Sequence, residues 1–251
     1  MNKKIYFFLC PTFAQITIVG LITFILRKNG YVCGYDSILG IILIVAAGIS
    51  SALWGCVFQI RYNGKNIKTI LKDFFHFKAD FKSYMLVVIF IILDFSDILF
   101  GGSLQITKGY TILFLFVKSI AFGGIEEIGW RYTFQPYIEK RLPYSAAAVA
   151  TFIFWGVWHF LFFYIDDSIS DVQIFPFLSG LLTNCFMLSA IYNYKNNLWL
   201  CVLAHSLVNT FSQVVIGGNI YIGLFVKLII IFLSILLSRR SRAETNSDLR
   251  R

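Results

Sequence analysis

The sequence predicts an all-α membrane protein, a polytopic bundle of about eight transmembrane helices. Of its 251 residues, 58% are hydrophobic and only 14% are charged, whereas soluble domains carry about 25% charged residues. A helix needs about 20 mostly apolar residues to cross the hydrocarbon core of a bilayer. Segments of about that length recur along the chain, at 5–26, 38–60, 84–100, 110–130, 144–164, 174–194, 197–216 and 220–237.

The first of these segments lacks a small-residue cleavage site and is too long for a removable signal peptide, so we expect it to be retained. The polar stretch 61–83 holds apolar residues at helical spacing, with lysines on the other side. These apolar residues are Ile67, Ile70, Leu71, Phe74 and Phe75. We predict an amphipathic helix on the anionic inner leaflet, and we interpret the adjacent His76 as an interfacial side chain.

The domain organisation follows from these spans. We predict one transmembrane domain, residues 1–238, with a motif-bearing core at about 118–216. Residues 239–251 are rich in Arg and polar residues, and this composition predicts a disordered cytoplasmic tail.

The net charge of +9 is distributed unevenly between the loops. Alternate loops, counted from the N-terminus, hold most of the Lys and Arg residues, and the loop with Asp166, Asp167 and Asp171 on the opposite side is acidic. Because basic loops stay in the cytoplasm, we predict a multi-pass protein of the plasma membrane with both termini cytoplasmic. Topology explains the positive charge, so we expect membrane lipid and no nucleic acid as a partner.

Three polar clusters interrupt the apolar segments. They read E-E-I-G-W-R at 126–131, W-G-V-W-H at 155–159 and H-S-L-V-N at 205–209, and they contain two of the three histidines. Ionisable groups at membrane depth are costly and mark functional sites. Glu126 and His159 precede and follow the turn at 141–143 by similar numbers of residues, so both are about 21–24 Å from it. The clusters are therefore predicted to meet.

Spacing within the clusters indicates roles. Glu127 and Arg131 are four residues apart on a helix and favour an ion pair, whereas Glu126 points about 100° away and is freer to act as a general base. His205 and Asn209 project together, as an oxyanion site needs. For each residue alone, a hydrogen bond that holds two helices together is an equally good interpretation. The combination of two carboxylates and two histidines favours catalysis.

Two further sets of residues leave alternatives open. Cys201 lies four residues before His205, but a catalytic Cys–His pair is disfavoured because little else there stabilises a thiolate. The chain has five cysteines and no C-x-x-C pair, so neither a disulfide framework nor a thiolate zinc site is indicated. Charged residues inside other spans favour a structural ion pair such as Asp94–Lys118. A transporter's ion pathway is the alternative, and the charged residues are Asp94, Asp97, Lys118 and Lys227.

The three clusters resemble the motifs of the CAAX-protease and bacteriocin-processing family of intramembrane endopeptidases. These motifs are E-E-x-x-x-R, F-x-x-x-H and H-x-x-x-N, in this order on separate helices, and the resemblance covers about 118–216. Trp155 replaces the Phe of the second motif, which keeps an aromatic side chain one turn before His159. The implied catalytic residues are Glu126, Glu127, His159, His205 and Asn209, with Arg131 and Trp155 as structural members.

The resemblance implies a hydrolase that cleaves a membrane-associated peptide or protein tail. Glu126 and His159 would activate the attacking water, and His205 and Asn209 would stabilise the oxyanion. No cofactor is required by this mechanism, whereas Glu126, His159 and His205 together with a water would also be a chemically sensible zinc site. The two interpretations stay open at this stage.

The expected substrate is a prenylated protein or a peptide precursor such as a bacteriocin, which reaches a site open to the cytoplasmic leaflet. The main rival is a non-catalytic membrane regulator or bacteriocin-immunity protein on the same scaffold. The second rival is the transporter that the charged span residues would serve.

Overall fold

The computed structural model of the protein describes residues 3–106 and 108–248. This part of the chain is almost entirely helical, which confirms the predicted all-α membrane bundle. The helices are α1 (Lys3–Lys28), α2 (Ile38–Gly48), α3 (Ser50–Asn63), α4 (Ile67–Phe74), α5 (Phe81–Asp94), α6 (Thr111–Ser119), α7 (Glu126–Gly129), α8 (Gln135–Ile138), α9 (Tyr144–Ile165), α10 (Ile174–Lys195), α11 (Leu198–Ser212) and α12 (Ile220–Asp248). Two short strands, β1 (Gly102–Leu104) and β2 (Val215–Gly217), pair antiparallel.

Five of the predicted spans are helices long and apolar enough to cross a membrane by length and composition. They are Lys4–Lys28, Ile38–Asn63, Tyr144–Ile165, Ile174–Lys195 and Ile220–Ser241. The second of them consists of α2 and α3, which meet at Ile49. These helices show that the chain is a membrane protein.

The other three predicted spans are shorter or interrupted. Helix α5 ends at Asp94 and is followed by a 3-10 turn, Ser96–Leu99, and α11 has the length of a short apolar helix. The span expected at 110–130 passes through α6 and α7, with a π-helical turn between them. Each of the eight predicted segments is therefore helical over most of its length, but three of them lack the length or regularity of an ordinary transmembrane helix.

The predicted amphipathic helix is α4. Asn66 caps its first turn by accepting a hydrogen bond from the Thr69 backbone N–H at 2.8 Å. Ile70 and Phe74 are buried against the bundle, which gives the helix one anchored apolar face. Its exposed apolar side chains are Ile67, Leu71 and the following Phe75. The helix is confirmed, and its position on a leaflet stays a prediction.

Contacts between loops define one end of the bundle, which we call the basic end. Here Lys195 pairs with Asp80 at 2.9 Å, and the Asn193 side chain donates to Glu139 at 2.8 Å. The hydroxyl of Ser83 and then the Lys195 ammonium hold the pKa of the Asp80 carboxyl well below its usual range. The start of α1 and the later part of α12 lie at this end, since Lys4 lies over a ring at the end of α3 and Ser241 of α12 donates to the backbone oxygen of Asn193.

The opposite end, which we call the strand end, carries β1 and β2. Arg27 closes α1 against α9 there, because its guanidinium donates to the backbone oxygen of Tyr164 at 2.6 Å. The same guanidinium lies 3.3 Å from the carboxylate of Asp167. The bundle therefore presents two chemically different ends, and helices that run between them alternate in direction.

A charged pair inside the bundle differs from the expected one. The Lys227 ammonium lies 3.5 Å from Asp94 Oδ1, so α12 rather than α6 supplies the partner. Lys118 instead lies over the ring of Tyr35, 5.7 Å from its centroid. A structural ion pair was correctly predicted, but the predicted partner was wrong, because depth along a helix does not show which helices are adjacent.

The last helix continues further than the predicted end of the domain. α12 extends to Asp248, within the segment 239–251 whose disorder in the cytoplasm stays a prediction. The remaining part of this predicted tail, 249–251, lies outside the described residues.

Candidate active site

The first polar cluster is held in an unusual helical segment between α6 and α8. π-helical turns at Ile120–Gly124 and Trp130–Phe134 flank the short helix α7 on both sides. Such turns insert an extra residue into a helix and often occur at functional sites. The long regular helix expected over this stretch is therefore replaced by a segment whose two π turns redirect the side chains between them.

Close helix contact fixes α7 against α3. A Cβ atom on Gly129 would lie 2.5 Å from the Ser51 backbone oxygen, and one on Gly55 would lie 2.8 Å from the Ile128 backbone oxygen. Only glycine allows two backbones to approach this closely. α7, with both of its glutamates, is therefore fixed firmly against α3.

Glu127 is the centre of a buried ionic network. Its Oε1 lies 3.3 Å from an Arg131 nitrogen and 2.7 Å from His205 Nδ1, and the Glu127 and Arg131 side chains are fully buried. The predicted Glu127–Arg131 ion pair is confirmed, and a histidine from α11 joins it. The Arg131 guanidinium also lies over the Trp155 ring, 4.1 Å from its centroid, a favourable cation–π geometry.

Glu126 points away from this network, as the spacing predicted. Its Oε2 accepts a 2.7 Å hydrogen bond from Trp155 Nε1 and lies 4.0 Å from His159 Nε2. Trp155 therefore packs beside His159 and also orients the Glu126 carboxylate through its indole N–H. The motif tryptophan contributes a donor that the usual phenylalanine does not have.

His205 and Asn209 both face the π-helical turn that precedes α7. A Cβ atom built on Gly123 would lie 2.3 Å from Asn209 Nδ2 and 3.2 Å from His205 Nε2. The absence of a side chain at this glycine therefore makes room for both polar groups. Since His205 Nδ1 is engaged by Glu127, its Nε2 is the atom turned toward Asn209.

A cavity of about 410 Å³ connects these side chains with the strand end of the bundle. Trp155, His159, His205 and Asn209 form its inner wall. The outer lining comes from the strand-end turns of several helices and includes Asp94, Asp97, Pro176, Phe177, Ser212 and Lys227. The cavity therefore opens away from the basic end. Cytoplasmic termini and a site open to the cytoplasmic leaflet, which we predicted together, are incompatible with this arrangement.

One polar residue of the cavity was missed by the sequence analysis. Asn184 on α10 lines the cavity, and its backbone oxygen accepts a hydrogen bond from Arg131 at 3.4 Å. The available signal was a carboxamide near the middle of an apolar span. Asn184 is part of none of the three clusters, so no motif indicated it.

The zinc hypothesis can be compared with this geometry. In the described parts of the chain, no three His, Cys, Asp or Glu side chains come together as a metal-binding group. Glu126 Oε2 and His159 Nε2 face each other, whereas His205, whose Nδ1 is engaged by Glu127, would have only Nε2 left as a ligand, and this atom faces Asn209 and Gly123. The three residues that the sequence offered as ligands therefore do not fit a zinc site in this arrangement.

Two other residues that the sequence analysis considered, Cys201 and His76, lie outside the group of side chains around Glu126 and Glu127. The Cys201 thiol is buried and donates to the backbone oxygen of Leu188 at 3.3 Å, so it is used within the bundle. His76 lies at the basic end, where its backbone oxygen accepts a bond from Asn197. The Asp94–Lys227 pair likewise accounts for two of the four charged residues that suggested a transporter's ion pathway.

Residues 108–211 match the family described as type II CAAX prenyl endopeptidase Rce1-like. This segment is similar to that family. The match confirms the family resemblance that the three motifs indicated. Among curated proteins, none matches the chain.

The Rce1-like segment begins just before α6 and ends within α11. It therefore contains all three polar clusters. At the level of the family, the match supports a membrane endopeptidase of the CAAX type, which is a hydrolase.

Proposed function

We propose that the protein is an intramembrane endopeptidase that hydrolyses a membrane-associated peptide or protein tail by a glutamate mechanism. The observation that supports this proposal is the difference in surroundings between the two adjacent carboxylates, Glu126 and Glu127. Glu127 is paired with Arg131 and His205, whereas Glu126 forms no ion pair with a Lys or Arg of the described residues and faces His159, which lines the cavity. A carboxylate in this position is suited to act as a general base.

In this mechanism Glu126 and His159 hold the attacking water. Their facing atoms are 4.0 Å apart, which is too far for a direct hydrogen bond but allows one water at about 2.8 Å from each. Glu126 takes a proton while the water oxygen attacks the substrate carbonyl carbon. When the tetrahedral intermediate collapses, the C–N bond breaks and Glu126 returns the proton to the leaving amine. The products are a carboxylic acid and an amine.

The carbonyl oxygen becomes negatively charged during this attack. Asn209 Nδ2 and His205 Nε2, which converge at Gly123, are the donors that we assign to it. Because Glu127 accepts a hydrogen bond from Nδ1–H in this arrangement, Nε2 can donate only when the His205 ring is doubly protonated. The network of Glu127, Arg131 and His205 then carries one net positive charge, which favours the oxyanion.

The proposed topology follows the basic loops. With the termini and the basic end in the cytoplasm of a plasma-membrane protein, the cavity opens toward the opposite side. The substrate then enters from the outer leaflet. Its apolar part would contact Phe177 and other apolar lining residues of the cavity. Candidate substrates are a prenylated protein tail and an apolar peptide precursor, and membrane lipid surrounds both.

The test is cleavage by the purified protein in proteoliposomes. Two internally quenched probes share one peptide sequence that ends in a CAAX motif, and only one of them carries a farnesyl group. We expect fluorescence to rise with at least one probe, and mass spectrometry then locates the broken bond. Cleavage of both probes indicates recognition of the peptide, and cleavage of the farnesylated probe alone indicates recognition of the lipid. Two intact probes would contradict the proposal.

A further inference from the structure

Asn184 is a polar residue of the cavity to which neither the motifs nor the mechanism gives a role. It lies on α10, one turn after Gly180 and Leu181, which line the same cavity. Its Oδ1 is buried and accepts no hydrogen bond from the described residues. The inner wall of this cavity also holds His159 and His205, so the half-buried Asn184 side chain lies beside the space where a substrate would be cleaved.

A buried amide without a partner is costly in a protein interior. Leaving such a group unsatisfied costs about 1–3 kcal/mol, and polar side chains in membrane helices normally bond to a neighbouring helix. Arg131 is the neighbouring donor, but it reaches the backbone oxygen of Asn184 and the Cys185 sulfur. The side chain therefore does not serve to hold two helices together. Because Oδ1 has almost no accessible surface, the group that this half-buried side chain can offer to a molecule in the cavity is its amide nitrogen.

The chemistry of the carboxamide indicates which group it would bind. The amide nitrogen of Asn donates hydrogen bonds, so it complements the C=O group of a peptide. The surrounding lining is mostly apolar, with Phe95, Phe177, Leu181 and Val208. An apolar peptide segment that enters here would bury its backbone amides, so each needs a partner from the protein.

We propose that Asn184 is a positioning residue that binds the substrate's backbone beside the scissile bond. This inference rests on the proposed endopeptidase function, and it adds α10 to the helices that supply functional groups. The residue touches no reacting atom. It would hold the peptide so that the carbonyl carbon faces the water between Glu126 and His159.

The experiment compares Asn184→Leu with the parent on the farnesylated and unprenylated quenched probes in proteoliposomes. Leucine has nearly the same shape but no hydrogen-bonding group. Ser189→Ala is the matched control, because Ser189 is a buried residue of α10 whose hydroxyl also has no partner but which does not line the cavity. Thermal unfolding of all three proteins reports whether the bundle is intact.

We expect KM to rise about tenfold in Asn184→Leu, the factor that corresponds to about 1.4 kcal/mol of lost binding, with kcat changed much less. Ser189→Ala should keep the parental KM. An unchanged KM in Asn184→Leu, with an active parent, would overturn this inference alone. Equal losses of kcat in both variants would also overturn it, since they would indicate a structural role. Failure of the parent to cleave either probe would overturn the proposed function and this inference with it.

Discussion

His205 Nδ1 lies 2.7 Å from Glu127 Oε1, across the contact between α11 and α7. This short contact links the first and third polar clusters, which are 78 residues apart in the chain. It also fixes the direction of the imidazole, so that Nε2 faces Asn209 and Gly123. This hydrogen bond therefore holds α11 against α7 and also positions the proposed oxyanion donors.

The first prediction concerns the stability of this network. Glu127→Gln removes the charge that compensates Arg131, which is fully buried, and breaking one partner of a buried ion pair costs about 3–5 kcal/mol. We therefore expect a marked fall in the thermal unfolding temperature in detergent. Glu126→Gln is the matched control one residue away, where the amide oxygen can still accept from Trp155. Equal unfolding temperatures for the two variants would contradict the buried network.

The second prediction concerns the glycine beneath the oxyanion donors. In Gly123→Ala, the new methyl group would lie 2.3 Å from Asn209 Nδ2, so Asn209 must move and kcat should fall at least tenfold. Gly156→Ala on α9 is the matched control, because its methyl group would meet only Leu181 at 3.5 Å, an ordinary contact distance. Steady-state kinetics on the quenched probe measures both. Similar kcat values for the two variants would remove Asn209 from the proposed oxyanion site.

The third prediction tests the ion pair that closes the outer part of the cavity. Lys227→Met leaves Asp94 buried without its partner, whereas the double variant Asp94→Asn/Lys227→Met removes both charges. Neighbouring pairs couple by about 0.5–3 kcal/mol, so the double variant should be more stable than the sum of the single effects implies. Lys118→Met is the control and should change the free energy of unfolding by no more than about 0.5 kcal/mol. Strictly additive effects would show that Asp94 and Lys227 do not interact.

The fourth prediction concerns metal removal. Because Glu126, His159 and His205 do not converge as a ligand set, cleavage should persist after dialysis against a strong zinc chelator. The initial rate on the quenched probe is measured before and after dialysis, and again after zinc is added. A rate that disappears with the chelator and returns with zinc would contradict the glutamate mechanism.

Much of this fold was predictable because membrane helices follow from local composition. The apolar segments and the amphipathic α4 depend on hydrophobicity and spacing along the chain, and both were found at the predicted positions. The π-helical turns around α7 were not predicted. Their formation depends on tertiary packing of glycines such as Gly129 against α3, which no local pattern reveals.

In the candidate site, too, the sequence predicted local contacts but not the contacts between helices. The i, i+4 spacing correctly gave the Glu127–Arg131 pair, since both residues lie on one helical segment. Contacts between helices were harder to predict from the sequence, because two residues at equal depth along their helices need not lie on adjacent helices. For this reason Asp94 was assigned to the wrong lysine, and the bond between Glu127 and His205 was not foreseen.

The proposed role of Glu126 as general base is tested most directly by one substitution. Glu126→Gln keeps the size of the side chain and an acceptor for Trp155 Nε1, but it cannot take a proton from water. General-base catalysis contributes about 10²–10⁴-fold to a rate. Glu139→Gln is the matched control, because Glu139 lies outside the cavity and bonds to Gln135 and Asn193.

The measurement is kcat on the quenched probe for the parent, Glu126→Gln and Glu139→Gln in the same proteoliposomes. We predict at least a 100-fold fall in kcat for Glu126→Gln, with an unfolding temperature close to that of the parent. Glu139→Gln should retain a kcat near the parental value. Parental cleavage by folded Glu126→Gln would contradict the assignment of this carboxylate as the base that activates water.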